Sequence, residues 1–439
     1  MKKILFVVLL LINGSILFAA GEKEGVKTSE PVEVRMWTFL DPSGEGLKGR
    51  DLALKKILDN WQKENPGIKM AVEPQQWSTM TAKFLAAHHT GNAPDIQWVR
   101  SQELGEALKQ NALADLESLF LKDWPASEIE DVSGAYFDIG VRDGKHYQIT
   151  HSRNCQSILF YRGDLVKDKG IAMNFRTWDE FLDVGKKLTE QDAKLGIQRW
   201  GLGQGYSTGA TNPPLAVPVI LYTQDLFTKD GQANWTTPDA VKAFELMRDM
   251  IRVHKITPES AVNYSVEDLY QGMAAGQYGM IVGGATRVQK VRSDASAFEP
   301  NMLQIRPLPS WDGKGYSPVP LAGWFVGVWS KSKVKTEAGK FLEFMSNRES
   351  DKLWVLDGGQ VPVRKSTVKA LGSFFEKPES AYLSVMADAM DKGWVLPTEY
   401  TITGFQDDLN AAIQQILVEK VGVLDALKKA AEAFNDRNK

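Results

Sequence analysis

Tryptophans lie beside short polar or charged side chains at the ends of several apolar segments of this sequence. Trp37 is followed by Asp41, and Trp77 is preceded by Gln76. Arg100 and Ser101 directly follow the segment IQWV, which itself contains a tryptophan. An indole face packs against a flat apolar surface, while neighbouring polar groups donate or accept hydrogen bonds. The pattern favours a binding cleft; the alternative for each tryptophan is packing in a hydrophobic core.

The elements that would position these residues follow an α/β order. An alternating strand at 32–39 precedes an amphipathic helix at 52–67, a strand at 68–74 and a helix at 81–90. The turn GNAPD, in which Asp95 is expected to accept hydrogen bonds from the turn backbone, leads into the strand IQWV. This order predicts a mostly parallel sheet flanked by helices, with the polar residues at its carboxyl edge.

The first 21 residues have the composition of a secretory signal peptide. Lys2 and Lys3 precede an apolar run that Asn13-Gly14-Ser15 interrupts, and Ala19 and Gly21 form a small-residue cleavage site. An uncleaved N-terminal anchor is the alternative. We therefore expect a periplasmic or secreted protein from which the signal peptide has been removed.

Composition narrows the class of protein. The single cysteine, Cys155, cannot form an internal disulfide. A formal net charge of −3 gives no electrostatic footprint for nucleic acid or anionic lipid. A length of 439 residues suggests two or three domains. We expect a monomer that does not bind nucleic acid.

The sequence lacks recognisable catalytic and cofactor motifs. The glycines of GLGQGY at 201–206 do not have dinucleotide-binding spacing, and His88 and His89 are adjacent rather than four residues apart. No nucleophile elbow or Cys-His signature is present. We expect neither a cofactor nor a metal, and no enzymatic activity.

Several segments together resemble the extracellular solute-binding proteins of ABC importers, in the sugar-binding group that includes maltose-binding protein. They are GNAPDIQWV, DGKHYQI, LFYRGDLVKDKGI with RTWDEFLDVGKKLT, AAGQYGMIVGG, PLAGWFVGVWSKSKVKTEAGKFLEFMSNRES and GGQVPVRKS. The resemblance implies two α/β lobes, each a mostly parallel sheet flanked by helices, joined by a hinge and closing on a sugar. It also implies delivery of the sugar to the membrane permease of an ABC importer.

The resemblance also implies approximate lobe limits. The first lobe would comprise 22–152 and 329–362, and the second 153–328 and 363–439. We expect hinges near Ser152–Gln156 and Val328–Lys331.

A sugar offers hydroxyls for hydrogen bonds and a C–H face for an aromatic ring. Further candidate contacts, beside those above, are His151, Arg153, Asn154, Tyr206, Gly284, Trp324, Trp394 and Arg364. The residues of the crossing segment could instead hydrogen-bond within the hinge, and Arg364 could be a solvated charge. Relatives often carry an aromatic residue just after the position of Gly284; here Trp324 could replace it.

Two other functions remain open at this stage. A secreted polysaccharide-degrading enzyme would have a similar aromatic-lined cleft. A binding protein for a non-sugar solute would have the same two-lobed fold.

Overall fold

The computed structural model describes residues 31–132, 134–150, 154–192, 197–207, 214–390, 393–397, 402 and 404–439. The expected signal peptide, His151 and Arg153 lie outside these residues.

The chain folds into 14 described strands and 18 described α-helices, and its last part, after the last of these strands, is mostly helical where it is described. The strands are β1 (Val32–Thr38), β2 (Ile68–Pro74), β3 (Ile96–Arg100), β4 (Val141–Arg142), β5 (Lys145–His146), β6 (Ile149–Thr150), β7 (Asn154–Cys155), β8 (Ile158–Arg162), β9 (Glu190–Asp192), β10 (Ile197–Gly203), β11 (Tyr278–Gly283), β12 (Leu303–Arg306), β13 (Leu321–Ala322) and β14 (Trp324–Val328). The helices are α1 (Gly49–Glu64), α2 (Met80–Thr90), α3 (Leu104–Lys109), α4 (Ala126–Val132), α5 (Ala135–Asp138), α6 (Gly163–Asp168), α7 (Trp178–Leu188), α8 (Ala216–Leu221), α9 (Pro238–Arg252), α10 (Val266–Ala274), α11 (Val288–Asp294), α12 (Lys335–Met345), α13 (Arg348–Leu356), α14 (Lys365–Ala370), α15 (Gly372–Phe375), α16 (Ala381–Met390), α17 (Phe405–Gln414) and α18 (Val423–Arg437).

The first elements form where the sequence pattern predicts them. β1 and β2 pair in parallel from Val32 opposite Ile68 to Thr38 opposite Pro74. α2 ends at Gly91, whose φ of 73° is a left-handed conformation that glycine adopts without strain. The predicted order of strand, helix, strand, helix, strand is confirmed.

The start of α7 is fixed by a capping box at Thr177. The Thr177 hydroxyl accepts the backbone N–H of Glu180 at 3.3 Å, and the Glu180 carboxylate accepts the backbone N–H of Thr177 at 3.0 Å. This reciprocal arrangement satisfies two backbone donors that the first turn of a helix leaves unpaired.

Two five-stranded sheets form the framework, with strand orders β2-β1-β3-β14-β6 and β12-β8-β11-β10-β9. In the first sheet β1 is parallel to β2 and β3, whereas β14 is antiparallel to β3 and β6. In the second sheet β10 and β11 are parallel, and the other described pairs are antiparallel. The sheets are mixed rather than mostly parallel: β6, β8 and β14, which flank the crossing segments, run against their neighbours, and so does β9 against β10.

Two short strands connect the sheets. β7 pairs with β13 in antiparallel fashion, with Cys155 of β7 opposite Leu321, and Cys155 is fully buried. β7 lies between β6 of the first sheet and β8 of the second, and β13 lies between β12 and β14. The described part of the first expected hinge thus contains a crossing strand.

The second crossing lies earlier in the chain than expected. Val328 already pairs with Ile96 inside the first sheet, so Val328–Lys331 follows the crossing. The chain has re-entered the first sheet at Trp324, before the limit of 329 that the sequence suggested.

The Asp95 carboxylate links two elements of the first lobe. It accepts the backbone N–H of Arg35 in β1 at 2.9 Å and the hydroxyl of Ser332 at 2.6 Å. The expectation that it serves its own turn is wrong, because the turn places it between β1 and the segment after β14. Trp98, three residues later, is fully buried in the core.

No helix in the described part of the chain combines the length and the apolar character that a membrane span requires.

Candidate functional site

A cleft of about 220 Å³ lies between the two sheets and the crossing strands. Its lining residues are Phe39, Arg50, Trp77, Arg100, Gln102, Asn154, Gln156, Val266, Glu267, Tyr270, Gly284, Thr286, Arg287, Ala322, Gly323 and Trp324. Of the residues selected from the sequence, Trp77, Arg100, Asn154, Gly284 and Trp324 meet in this cleft.

The first wall of the cleft is the carboxyl edge of parallel strands. Phe39 directly follows β1, Trp77 follows β2, and Arg100 is the last residue of β3. Parallel neighbours end at the same edge, which brings together residues that are far apart in sequence.

Aromatic rings cover much of this wall. The ring centroid of Phe39 lies 4.8 Å from that of Trp324 and 5.4 Å from that of Trp98, which meets it edge-on. Trp77 is half-buried, belongs to none of the three hydrophobic cores and makes no ring contact with a described residue. Its indole faces the cleft without a protein partner in the described part of the chain.

The opposite wall comes from α10 and from the segment after β11. The backbone N–H of Gly284 donates to the Tyr270 hydroxyl at 2.8 Å. A side chain at Gly283 would come within 2.7 Å of the Tyr270 ring, so glycine at that position allows the tyrosine to approach. The Thr286 N–H donates to Asn154 Oδ1 at 3.2 Å and connects this wall to β7.

Three arginines and one glutamate provide the charges that line the cleft. Arg100 forms a two-point ion pair with Glu103, with Nε 3.0 Å from Oε2, and Arg287 is paired with Glu267. Arg50 places its guanidinium 4.9 Å from the centre of the Phe39 ring. Burial, and then the positive charge of Arg287, lower the pKa of Arg50 to about 10.

Four residues selected from the first lobe do not line the cleft. Trp37 lies in β1, two residues before Phe39, and is half-buried. Its Nε1 donates to the Glu73 carboxylate at 2.7 Å. Asp41 and Gln76 are exposed on the surface. Ser101 is buried behind the wall, and its backbone N–H donates to the Gly323 carbonyl at 3.1 Å.

Two residues selected from the second lobe belong to its core. Tyr206 is 1 % exposed, and its hydroxyl donates to Gln204. Burial raises the pKa of Tyr206 well above its usual value. The Trp394 ring stacks on Phe227 with centroids 6.2 Å apart. Both rings are held by core packing away from the cleft.

Arg364 is neither at the cleft nor solvated. Its side chain is 2 % exposed, and its Nη1 lies 2.7 Å from Glu128 Oε2 and 2.9 Å from Asp131 Oδ2. Its Nε also donates to the Ser346 carbonyl at 2.7 Å. A buried guanidinium is tolerated here because its partners, more than 200 residues earlier in the chain, neutralise and hydrogen-bond it.

The sequence reasoning missed several residues of the cleft. They are Phe39, Arg50, Gln102, Gln156, Glu267, Tyr270, Thr286 and Arg287. Phe39 shares a strand face with Trp37 but lies two residues closer to the carboxyl edge, which was a usable signal. Arg50 is the second residue of α1, and Arg287 directly precedes α11. Charged residues near helix starts are usually solvated, so nothing in the sequence indicated that these two line a cleft.

The described residues contain no group of three or more histidines, cysteines or acids that could hold a metal ion. The cleft instead combines aromatic rings with amides and guanidinium groups. Such a set can stack on a ligand and hydrogen-bond to its oxygen atoms.

Comparison with known proteins gives consistent matches. Residues 46–352 match a family model described as "Bacterial extracellular solute-binding protein". The chain is 24 % identical over 75 % of its length to an arabinooligosaccharide-binding protein of Halalkalibacterium halodurans, of which 71 % is covered. It is 22 % identical over 90 % of its length to a multiple sugar-binding protein of Streptococcus mutans, of which 94 % is covered.

The fold is similar to that of a solved structure, the maltose-bound MalE3 of T. maritima. The TM-score is 0.76 at 22 % identity, and the match covers 92 % of this chain and 100 % of the other. The two-lobed periplasmic-binding-protein-like fold that the sequence implied is thereby confirmed.

Proposed function

Because the chain belongs to the bacterial extracellular solute-binding protein family, we propose that it is a receptor for a mono- or oligosaccharide. It binds the sugar with high affinity outside the cytoplasm, in the periplasm or at the cell exterior. It then presents the sugar to the permease subunits of an ABC importer and acts as a monomer without chemical turnover. The names of the arabinooligosaccharide- and multiple sugar-binding relatives support this proposal.

The observation that carries the proposal is the composition of the cleft. The rings of Trp77, Tyr270 and Trp324 can pack against the C–H faces of a sugar. Arg100 and Asn154 lie beside them and can hydrogen-bond to hydroxyls. The volume of about 220 Å³ lies below the range of about 300–1,000 Å³ for drug-sized ligands. A ligand of one or two sugar rings would suit it best.

Two lobes joined by β7 and β13 would close on the ligand as rigid bodies. The sugar would contact both walls, so it would bind the closed state more tightly and shift the population towards it. We propose that the first lobe includes 22–152 and the segment from about Trp324 to 362, and that the second lobe includes most of the remainder.

A thermal-shift screen against mono- and oligosaccharides tests the proposal, because a ligand that binds only the native state raises its melting temperature. We expect one sugar class to raise the melting temperature and to bind with a stoichiometry of about one, as in a single-cleft receptor. Incubation of that sugar with the protein, followed by chromatography, should return it unchanged. Appearance of shorter products would instead identify a polysaccharide-degrading enzyme.

A further inference from the structure

The charges in the cleft do not match a neutral ligand. The whole chain carries a formal net charge of −3, yet three arginines and one glutamate line this cavity. Arg100 and Arg287 have carboxylate partners, Glu103 and Glu267. Arg50 forms no ion pair with any described residue, and its guanidinium lies over the Phe39 ring.

An unpaired, half-buried guanidinium is costly. Arg50 has lost part of its hydration, and the carboxylate of the adjacent Asp51 offsets this less than burial and Arg287 oppose it. A buried charge that is only partly compensated destabilises the folded protein. The face of the Phe39 ring, 4.9 Å from the guanidinium, stabilises the positive charge of Arg50 less than a carboxylate or phosphate would.

Arg50 and Arg287 approach the cleft from different walls. Arg50 begins α1 beside the edge of the first sheet, whereas Arg287 follows β11 of the second. Each carries the same sign of charge, and the proximity of Arg287 contributes to the lowered pKa of Arg50. Glu267 offsets part of the charge of Arg287. The repulsion that remains would increase if the two walls came together around a neutral ligand, whereas an anion between the two arginines would offset it.

We propose that the ligand is a saccharide carrying a negatively charged group, a carboxylate or a phosphate, which Arg50 and Arg287 bind together. This inference rests on the proposed function of a sugar receptor and specifies its substrate class. The aromatic rings of Trp77 and Trp324 would hold the sugar ring, and the anion would lie between Arg50 and Arg287. Arg50 offers two donors to one anionic group in the fork geometry that suits carboxylates and phosphates.

Matched pairs of neutral and acidic sugars test this inference on the full chain by titration calorimetry. The pairs are glucose with glucuronate and glucose 6-phosphate, galactose with galacturonate and galactose 6-phosphate, and carboxyl-reduced with native oligogalacturonate. We expect one acidic member to bind about tenfold to a hundredfold more tightly than its neutral counterpart, as for hydrogen bonds to charged groups. The uronate and phosphate arms identify which anion is used.

Variants assign the preference to Arg50. Arg50→Gln should abolish the preference for the acidic sugar while leaving the melting temperature of the free protein equal or higher, because an uncompensated charge is removed. Arg50→Lys should keep part of the preference. Lys55→Gln removes the same charge from an exposed position on the same helix and should change nothing.

Each remaining result contradicts a stated part of the reasoning. Equal affinity for neutral and acidic sugars would overturn the inference and leave the receptor function intact. Binding of inorganic phosphate as tight as that of a sugar phosphate would show a simple anion site. The absence of binding to any sugar, neutral or acidic, would overturn the receptor function itself.

Discussion

Trp37 and Trp77 have the same sequence context, a tryptophan near the end of a strand beside polar residues, but the structure gives them different surroundings. Trp77 lines the cleft and packs on none of the three cores. Trp37 packs against two of the cores and donates a hydrogen bond of 2.7 Å to Glu73. We expect Trp77→Ala to weaken ligand binding and Trp37→Ala to lower stability.

The magnitudes follow from these contacts. Truncation of Trp37 loses a hydrogen bond to a carboxylate, about 1.5–3 kcal/mol. The lower end applies, because the Glu73 side chain is 38 % exposed and water can replace the bond. Loss of a half-buried ring adds about 1–2 kcal/mol, which gives a total of about 3 kcal/mol. For a unit of 150–250 residues this lowers the melting temperature by roughly 6–12 °C.

Trp77→Ala should leave stability within about 1 kcal/mol of the wild type, since no core packing is lost. Removal of a stacking ring should cost about 1–3 kcal/mol of binding free energy, which is roughly five- to 150-fold in Kd. Calorimetric unfolding and titration with the sugar found in the screen measure the two effects separately. The reasoning would be refuted if Trp77→Ala melted about 10 °C early while its folded fraction bound normally, or if Trp37→Ala lost binding without losing stability.

Three further outcomes are expected. Arg364→Met should destabilise the protein by about 3 kcal/mol, because Glu128 and Asp131 lose a buried counter-charge while Arg348 still pairs with both. Chemical denaturation measures this, and weakened binding with normal stability would contradict the structural role. Trp324→Phe should bind somewhat more weakly than the wild type and show a smaller ligand-induced change in fluorescence. Trp324→Ala should lose most of its affinity and still fold. Full affinity in the alanine variant would exclude a ligand contact. Saturating ligand should reduce the radius of gyration in solution scattering, and an unchanged value would argue against closure of the lobes.

The elements of this fold were predictable because their signals are local. The start of α7 at Thr177 needs only the Thr-x-x-Glu spacing, and the end of α2 needs only Gly91. Trp77 and Arg100 were identified because both lie at or just after the carboxyl end of a strand, and that edge of a parallel sheet is where ligands bind. Such arguments require no knowledge of distant contacts.

The remainder depended on contacts between distant parts of the chain. The partners of Arg364 lie 236 and 233 residues away, so its burial had no local signature. The sense of β14 could not be inferred either, because it depends on where the chain re-crosses at β13. Arg50 illustrates the same limit, since an arginine in the first turn of a helix is ordinarily hydrated.

The buried thiol of Cys155 in β7 can report on separation of the crossing strands β7 and β13. Burial raises the pKa of Cys155 to about 12, so little thiolate is present at pH 8 in the native state. The chain contains a single cysteine, so any reaction with a thiol reagent must occur at the crossing strands or in an unfolded molecule. The labelling rate then reports how often those strands separate or the molecule unfolds, and a ligand that stabilises the closed lobes should lower this rate without any engineered probe.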